Sequence, residues 1–128
     1  MKIYIVIQSG GSYEDYYCRN VKAFTSKNAA EAFCIEAGKK ADEVYRKLRE
    51  ARKEWGDKSR EARELGYGHD LTVFSKFREE YEEKKEIIEK SNLIDPEINC
   101  DDASDYDTGY GVEELELEKE DFLKEIEF

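Results

Sequence analysis

A chain of 128 residues, 39% apolar and 41% charged, has room for one modest core beneath an unusually charged surface. It holds no run of eighteen apolar residues, and Ile3 to Ile7 is too short for a signal peptide, so a cytoplasmic chain without a membrane span is expected. The net charge of −11 is gathered at one end: residues 1–40 carry +2, residues 41–90 carry −1 and residues 91–128 carry −12. Such a block lacks the basic footprint that direct nucleic-acid binding needs, and it favours a basic protein partner.

Lys2 to Gln8 is rich in β-branched residues and apolar on both faces, Ile3, Ile5 and Ile7 on one and Tyr4 and Val6 on the other. A strand with no polar face belongs in the middle of a sheet. Ser9-Gly10-Gly11-Ser12 breaks the pattern and opens a tyrosine-rich loop carrying Tyr13, Tyr16 and Tyr17. Those rings either pack on the sheet edge or form an exposed aromatic contact for a partner. Arg19 to Phe24 reads as a second strand, antiparallel to the first.

Ser26 is a natural N-cap for a long helix. From there Ala30, Cys34, Ala37, Ala41, Val44, Leu48, Ala51 and Trp55 recur at steps of four and three, and Phe33 and Tyr45 widen that seam into a face. Trp55-Gly56-Asp57 is expected to break or kink the helix, with Ala62 and Leu65 resuming the seam before Gly66-Tyr67-Gly68 stops it. Asp70 can cap a further helix to about Lys90, with Leu71, Phe74, Phe77, Tyr81, Ile87 and Ile88 on its apolar side. The two seams then cover each other in a helical hairpin, or the first pairs with a second copy as a homodimer.

The stretch from Asp101 to Gly111 is an acidic loop, and Val112 to Glu118 alternates strictly. Leu115 and Leu117 are expected inward and Glu114, Glu116 and Glu118 outward, on a strand that pairs with the open side of the first. Asp121 to Phe128 reads equally as a short closing helix or a continued strand.

Catalytic and metal motifs fall away on inspection. His69 sits alone beside a glycine turn, Cys18, Cys34 and Cys100 are isolated, and no P-loop or dinucleotide fingerprint occurs. An EF-hand frame starting at Asp105 needs a glycine where Tyr110 stands. No enzyme activity, metal or cofactor is expected.

The opening M-K-I-Y-I-V, the helix entry from Phe24 to Cys34 and the closing Glu114-Leu115-Glu116-Leu117 resemble short acidic phage and prophage proteins of unknown function. The helix entry is also similar to one in a type II-C anti-CRISPR family. That resemblance implies a protein that blocks the DNA-reading surface of a CRISPR nuclease with an acidic face. The positions that carry it, Phe24, Ser26, Lys27, Ala30, Glu31, Phe33 and Cys34, are core and capping residues and bring over no functional site.

The reading is one α+β domain over residues 1–128. It has a three-stranded antiparallel sheet of order 2-1-3, a charged helical hairpin over about 26–91, and an acidic loop and closing strand over about 95–128. Its expected role is anti-defence inhibition by acidic DNA mimicry in the bacterial host, against a CRISPR nuclease or another basic nucleic-acid-binding protein. Glu114, Glu116 and Glu118 would stand about 6.7 Å apart, comparable to successive phosphates. Asp101, Asp102, Asp105 and Asp107 would extend their field, and Tyr13 and Tyr16 would add aromatic contacts. The alternative is a structural adaptor that associates through its helical seam.

Overall fold

The computed structural model describes residues 1–11, 14, 16–98 and 109–117. In chain order they form strands β1 (Lys2–Gly10) and β2 (Tyr17–Phe24), helices α1 (Lys27–Glu64) and α2 (Leu71–Lys90), and strand β3 (Gly109–Glu116). Among the described residues the strands make one antiparallel sheet of order β2-β1-β3, the expected α+β arrangement. The chain divides into two compact units, residues 1–39 with 105–128 and residues 40–104, and α1 contributes to both.

In the first unit, β1 takes the centre because neither of its faces is polar. It runs two residues beyond the expected end at Gln8, and β2 begins two residues earlier than expected, because Ser9 and Gly10 pair with Cys18 and Tyr17. The register places Tyr4, Val6, Gln8 and Gly10 on one face with Phe24, Lys22, Arg19 and Tyr17. Phe24 meets Phe33 of α1 with ring centroids 5.6 Å apart, and the Lys22 ammonium lies over both rings. This is therefore the face that the start of α1 covers. Val6 and Gln8 are fully buried there, whereas Ile3, Ile5 and Ile7 opposite are only half-buried.

A buried glutamine in a central strand must find partners for its amide. Gln8 accepts from Arg19 Nε at 2.7 Å, and its Nε2 donates to the Tyr17 hydroxyl at 3.1 Å. A β-bulge between Val6 and Ile7 makes Val21 the extra residue on β2.

Helix α1 starts as its cap predicts, with Ser26 Oγ accepting from the Ala29 amide at 3.3 Å. It then runs unbroken for 38 residues, so the expected break at Gly56 does not occur. A glycine inside a helix costs about 1 kcal/mol relative to alanine. Contacts one and two residues away offset that cost: Trp55 stacks on Tyr81, and Lys58 pairs with both Glu54 and Glu80. The helix ends in a Schellman motif, Tyr67 N donating to Ala62 O and Gly66 N to Arg63 O, with Gly66 at φ +92.

Within the second unit, Glu54 pairs with Lys84 and Lys58 with Glu80, a crossing order that makes the two arms antiparallel. Ala41, Val44, Tyr45, Leu48 and Ala51 are buried, so the seam is consumed inside the chain. Asp70 caps α2 by accepting from the Thr72 amide at 3.1 Å. Leu65, Leu71 and Ile87, expected on the covered sides, are instead exposed. Leu65 and Leu71 flank the turn between the two helices. On α2 Tyr81 is buried and Ile88 half-buried, whereas Ile87 is exposed. After α2, Asn92 Oδ1 accepts from the Asp95 amide and Ile98 N donates to Asp95 O, tucking in a short buried stop. No helix among the described residues is long and apolar enough to cross a membrane.

Candidate partner-binding site

Of the nine residues expected to bind a partner, Glu114, Glu116 and Tyr16 are among those described. Tyr13, Asp101, Asp102, Asp105, Asp107 and Glu118 lie outside the described residues, as does the segment from Asp121 to Phe128.

Glu114 stands opposite Tyr4 and Glu116 opposite Lys2, both exposed on the sheet face that carries Val6. Two positions apart on one face, they keep the spacing of about 6.7 Å. Glu113 is exposed on the other face, opposite Ile5. The expected inward turn of Leu115 is not what the structure shows. Leu115 shares its face with Ile3 and is 38% exposed, while the glutamates lie on the side that α1 covers elsewhere. Alternation separates Leu115 from Glu114 and Glu116, but which face gets covered depends on α1, and α1 chose the Val6 side.

Lys2 is the cation within this group. Its ammonium lies 3.1 Å from a Glu114 carboxylate oxygen. That hydrogen bond, together with the charges of Glu114 and Glu116, raises its pKa above the ordinary 10.5. Lys2 faces Glu114 and Glu116, and with Glu113 on the other face the strand stays net acidic. The pair is half-exposed, so it adds little to stability and remains open to exchange for a partner's cation.

Tyr16 is exposed, and its hydroxyl lies 3.1 Å from Cys18 Sγ, the main cause of its raised pKa. It sits beside the Gly10 end of β1, on the β2 edge, whereas Glu116 pairs at the Lys2 end, on the β3 edge. Eight strand steps of about 3.3 Å separate those ends by about 26 Å. Tyr16 and the glutamates therefore do not form one patch.

The remaining candidates keep their plain roles. Burial, and then the charge of Glu31, push the Cys34 thiol up, which makes it a poor nucleophile. Cys18 and Cys34 are both free thiols, and His69 is exposed in the turn between the helices. Among the described residues no cluster of histidine, cysteine and carboxylate side chains could hold a metal ion.

Backbone geometry adds what residue types did not reveal. Met1 and Leu117 exchange both main-chain bonds, each at 2.7 Å. In an antiparallel ladder such bonded pairs alternate with non-bonded ones. Leu115, Glu113 and Gly111 therefore direct their amides and carbonyls to β1, while Glu116, Glu114 and Val112 direct theirs to the outer edge. Among the described residues β3 has a neighbouring strand on one side only.

Comparison with protein-family models, with curated proteins and with solved structures finds no match for this chain. The functional reading rests on the charge and geometry of the sheet edge.

Proposed function

We propose that this protein is a non-enzymatic, phage-type inhibitor that occupies a basic nucleic-acid-binding surface of a bacterial defence protein. The supporting observation is the exposed acidic edge of β3, where Glu114 and Glu116 share one face with Lys2 and Glu113 stands on the other, within a region of charge −12. A basic groove made for phosphates attracts such an edge over long range, sets its orientation and loses affinity as salt rises. Burial of Val44 and Leu48, 0% and 1% exposed, weighs against the adaptor alternative, which needs that seam open to another chain.

The test is capture from bacterial lysate by the tagged whole chain, washed with duplex DNA and at rising salt, beside an E113K/E114K/E116K variant that retains the wild-type helical spectrum. The reading predicts a nucleic-acid-binding protein that DNA and salt both displace and that the variant fails to retain. Equal retention by the variant, or indifference to DNA, overturns it.

A further inference from the structure

The outer edge of β3 carries charge and hydrogen-bonding capacity on the same residues. Glu114 and Glu116 present carboxylates on one face, and with Val112 they also turn their main-chain amides and carbonyls away from β1. We propose that this edge is a strand-docking site, and that an extended basic segment of the partner adds to it as a fourth strand, bonded to Val112, Glu114 and Glu116. The inference rests on the partner chemistry proposed above and adds how that partner is held.

An unpaired edge is a standing template for another strand, and natural sheets blunt theirs with bulges, lysines, prolines or covering elements. The opposite edge of the sheet is blunted in this way: β2 is interrupted by the bulge at Val21 and carries Arg19 and Lys22. Strand β3 pairs with β1 in regular register from Glu116 to Gly109 and contains neither proline nor lysine. Among the described residues its guard is glutamate, and that guard is selective.

A second copy of β3 added antiparallel would set glutamate against glutamate, which disfavours self-association. A segment with lysine or arginine at every second position sets a cation opposite Glu114 and another opposite Glu116. It meets an ion pair, Lys2 with Glu114, that is already solvent-exposed and exchangeable. The side chains between those cations would fall on the face shared by Leu115 and Ile3, so apolar residues suit them. The fitting occupant is a strand that alternates basic and apolar residues.

The experiment uses the whole chain and an eight-residue peptide alternating lysine and valine. Amide hydrogen exchange is followed residue by residue, with and without the peptide. Gly111, Glu113 and Leu115 should exchange slowly throughout, and Val112, Glu114 and Glu116 should slow at least tenfold on addition of the peptide. A Val112→Pro variant removes one outward amide while keeping every charge and every bond to β1, a position where an edge strand accepts proline. It should keep the fold and lose at least tenfold in peptide affinity, and an E114K/E116K variant should lose binding altogether. Normal binding by Val112→Pro with loss in the charge variant overturns strand docking and leaves the acidic-surface reading standing. Normal binding by both overturns the two together. Slow exchange at Val112, Glu114 and Glu116 before any peptide is added shows the edge already covered by the chain itself, and also overturns docking.

Discussion

Trp55 and Tyr81 stack across the two arms of the hairpin, their ring centroids 4.8 Å apart and their planes 16° from parallel. Around them Lys58 reaches Glu80 at 3.2 Å and Lys84 reaches Glu54 at 2.7 Å. Stacked rings carry the apolar burial, and the ion pairs close over it.

Replacing Trp55 by alanine should cost about 2–3 kcal/mol, less than a fully buried tryptophan because the ring is half-buried. Urea unfolding followed by circular dichroism measures it. As the one tryptophan in the chain, Trp55 also reports on its own packing, and its emission should move to the red as the arms part. A cost below about 0.5 kcal/mol would mean that the stack does not hold the hairpin.

Gly10 owes its identity to Tyr17. A Cβ at this position would lie 2.6 Å from the Tyr17 hydroxyl oxygen and 2.9 Å from the ring carbon bearing it. Moving the ring aside also takes the hydroxyl from Gln8 Nε2. Gly10→Ala should cost about 1–3 kcal/mol in the wild-type background and a few tenths in a Tyr17→Ala background. A double-mutant cycle in urea checks this, and equal costs in both backgrounds would locate the strain elsewhere.

Acid should loosen the hairpin at its carboxylates. The hydrogen bond from Lys84, then that from Lys58, hold Glu54 below the ordinary value of 4.5. Lys47 with Lys40 does the same to Glu43, and Lys90 to Glu86. A carboxyl depressed in the fold contributes stability that is complete above its unfolded pKa and is lost as pH falls through the folded one. Stability should therefore decline as pH drops below about 4.5, and Glu54→Gln should flatten that decline. Denaturation midpoints from pH 6 to pH 3 should differ at the start and converge at the end, with a smaller gap in high salt because these groups are exposed. Parallel curves would remove Glu54 from the account.

Much of this architecture is legible in residue order. The four-three spacing from Ala30 to Trp55 marks the α1 seam, and Ser26, Gly66 and Asp70 mark helix ends by their own hydrogen-bonding habits. The absence of a polar face on β1 places it between the other two strands. What stayed hidden depends on partners far away in the chain. Gly56 looks like a breaker locally, but contacts from α2 outweigh about 1 kcal/mol of propensity. Leu115 and Glu114 alternate visibly, yet the choice of covered face belongs to α1. Tyr16 and Glu116 looked combinable as residue types, and only strand register shows them at opposite ends of the sheet. The outward amides of Val112, Glu114 and Glu116 are invisible to side-chain reasoning, because they follow from the phase of the ladder set at Met1 and Leu117.

The bulge at Val21 makes the chain unequal in its tolerance of length. Upstream of it Tyr17 and Arg19, at odd positions, face Gln8, and downstream Lys22 and Phe24, at even positions, face the same way. One supernumerary residue reconciles the two parities. Losing Val21 would leave a regular ladder with every side chain on its present side. Losing Asn20 instead, with Val21 kept as the bulge, would turn Arg19 and Tyr17 away and strip the buried Gln8 amide of its two side-chain partners. Natural or engineered single-residue deletions in β2 should therefore survive at position 21, where the fold already carries a spare.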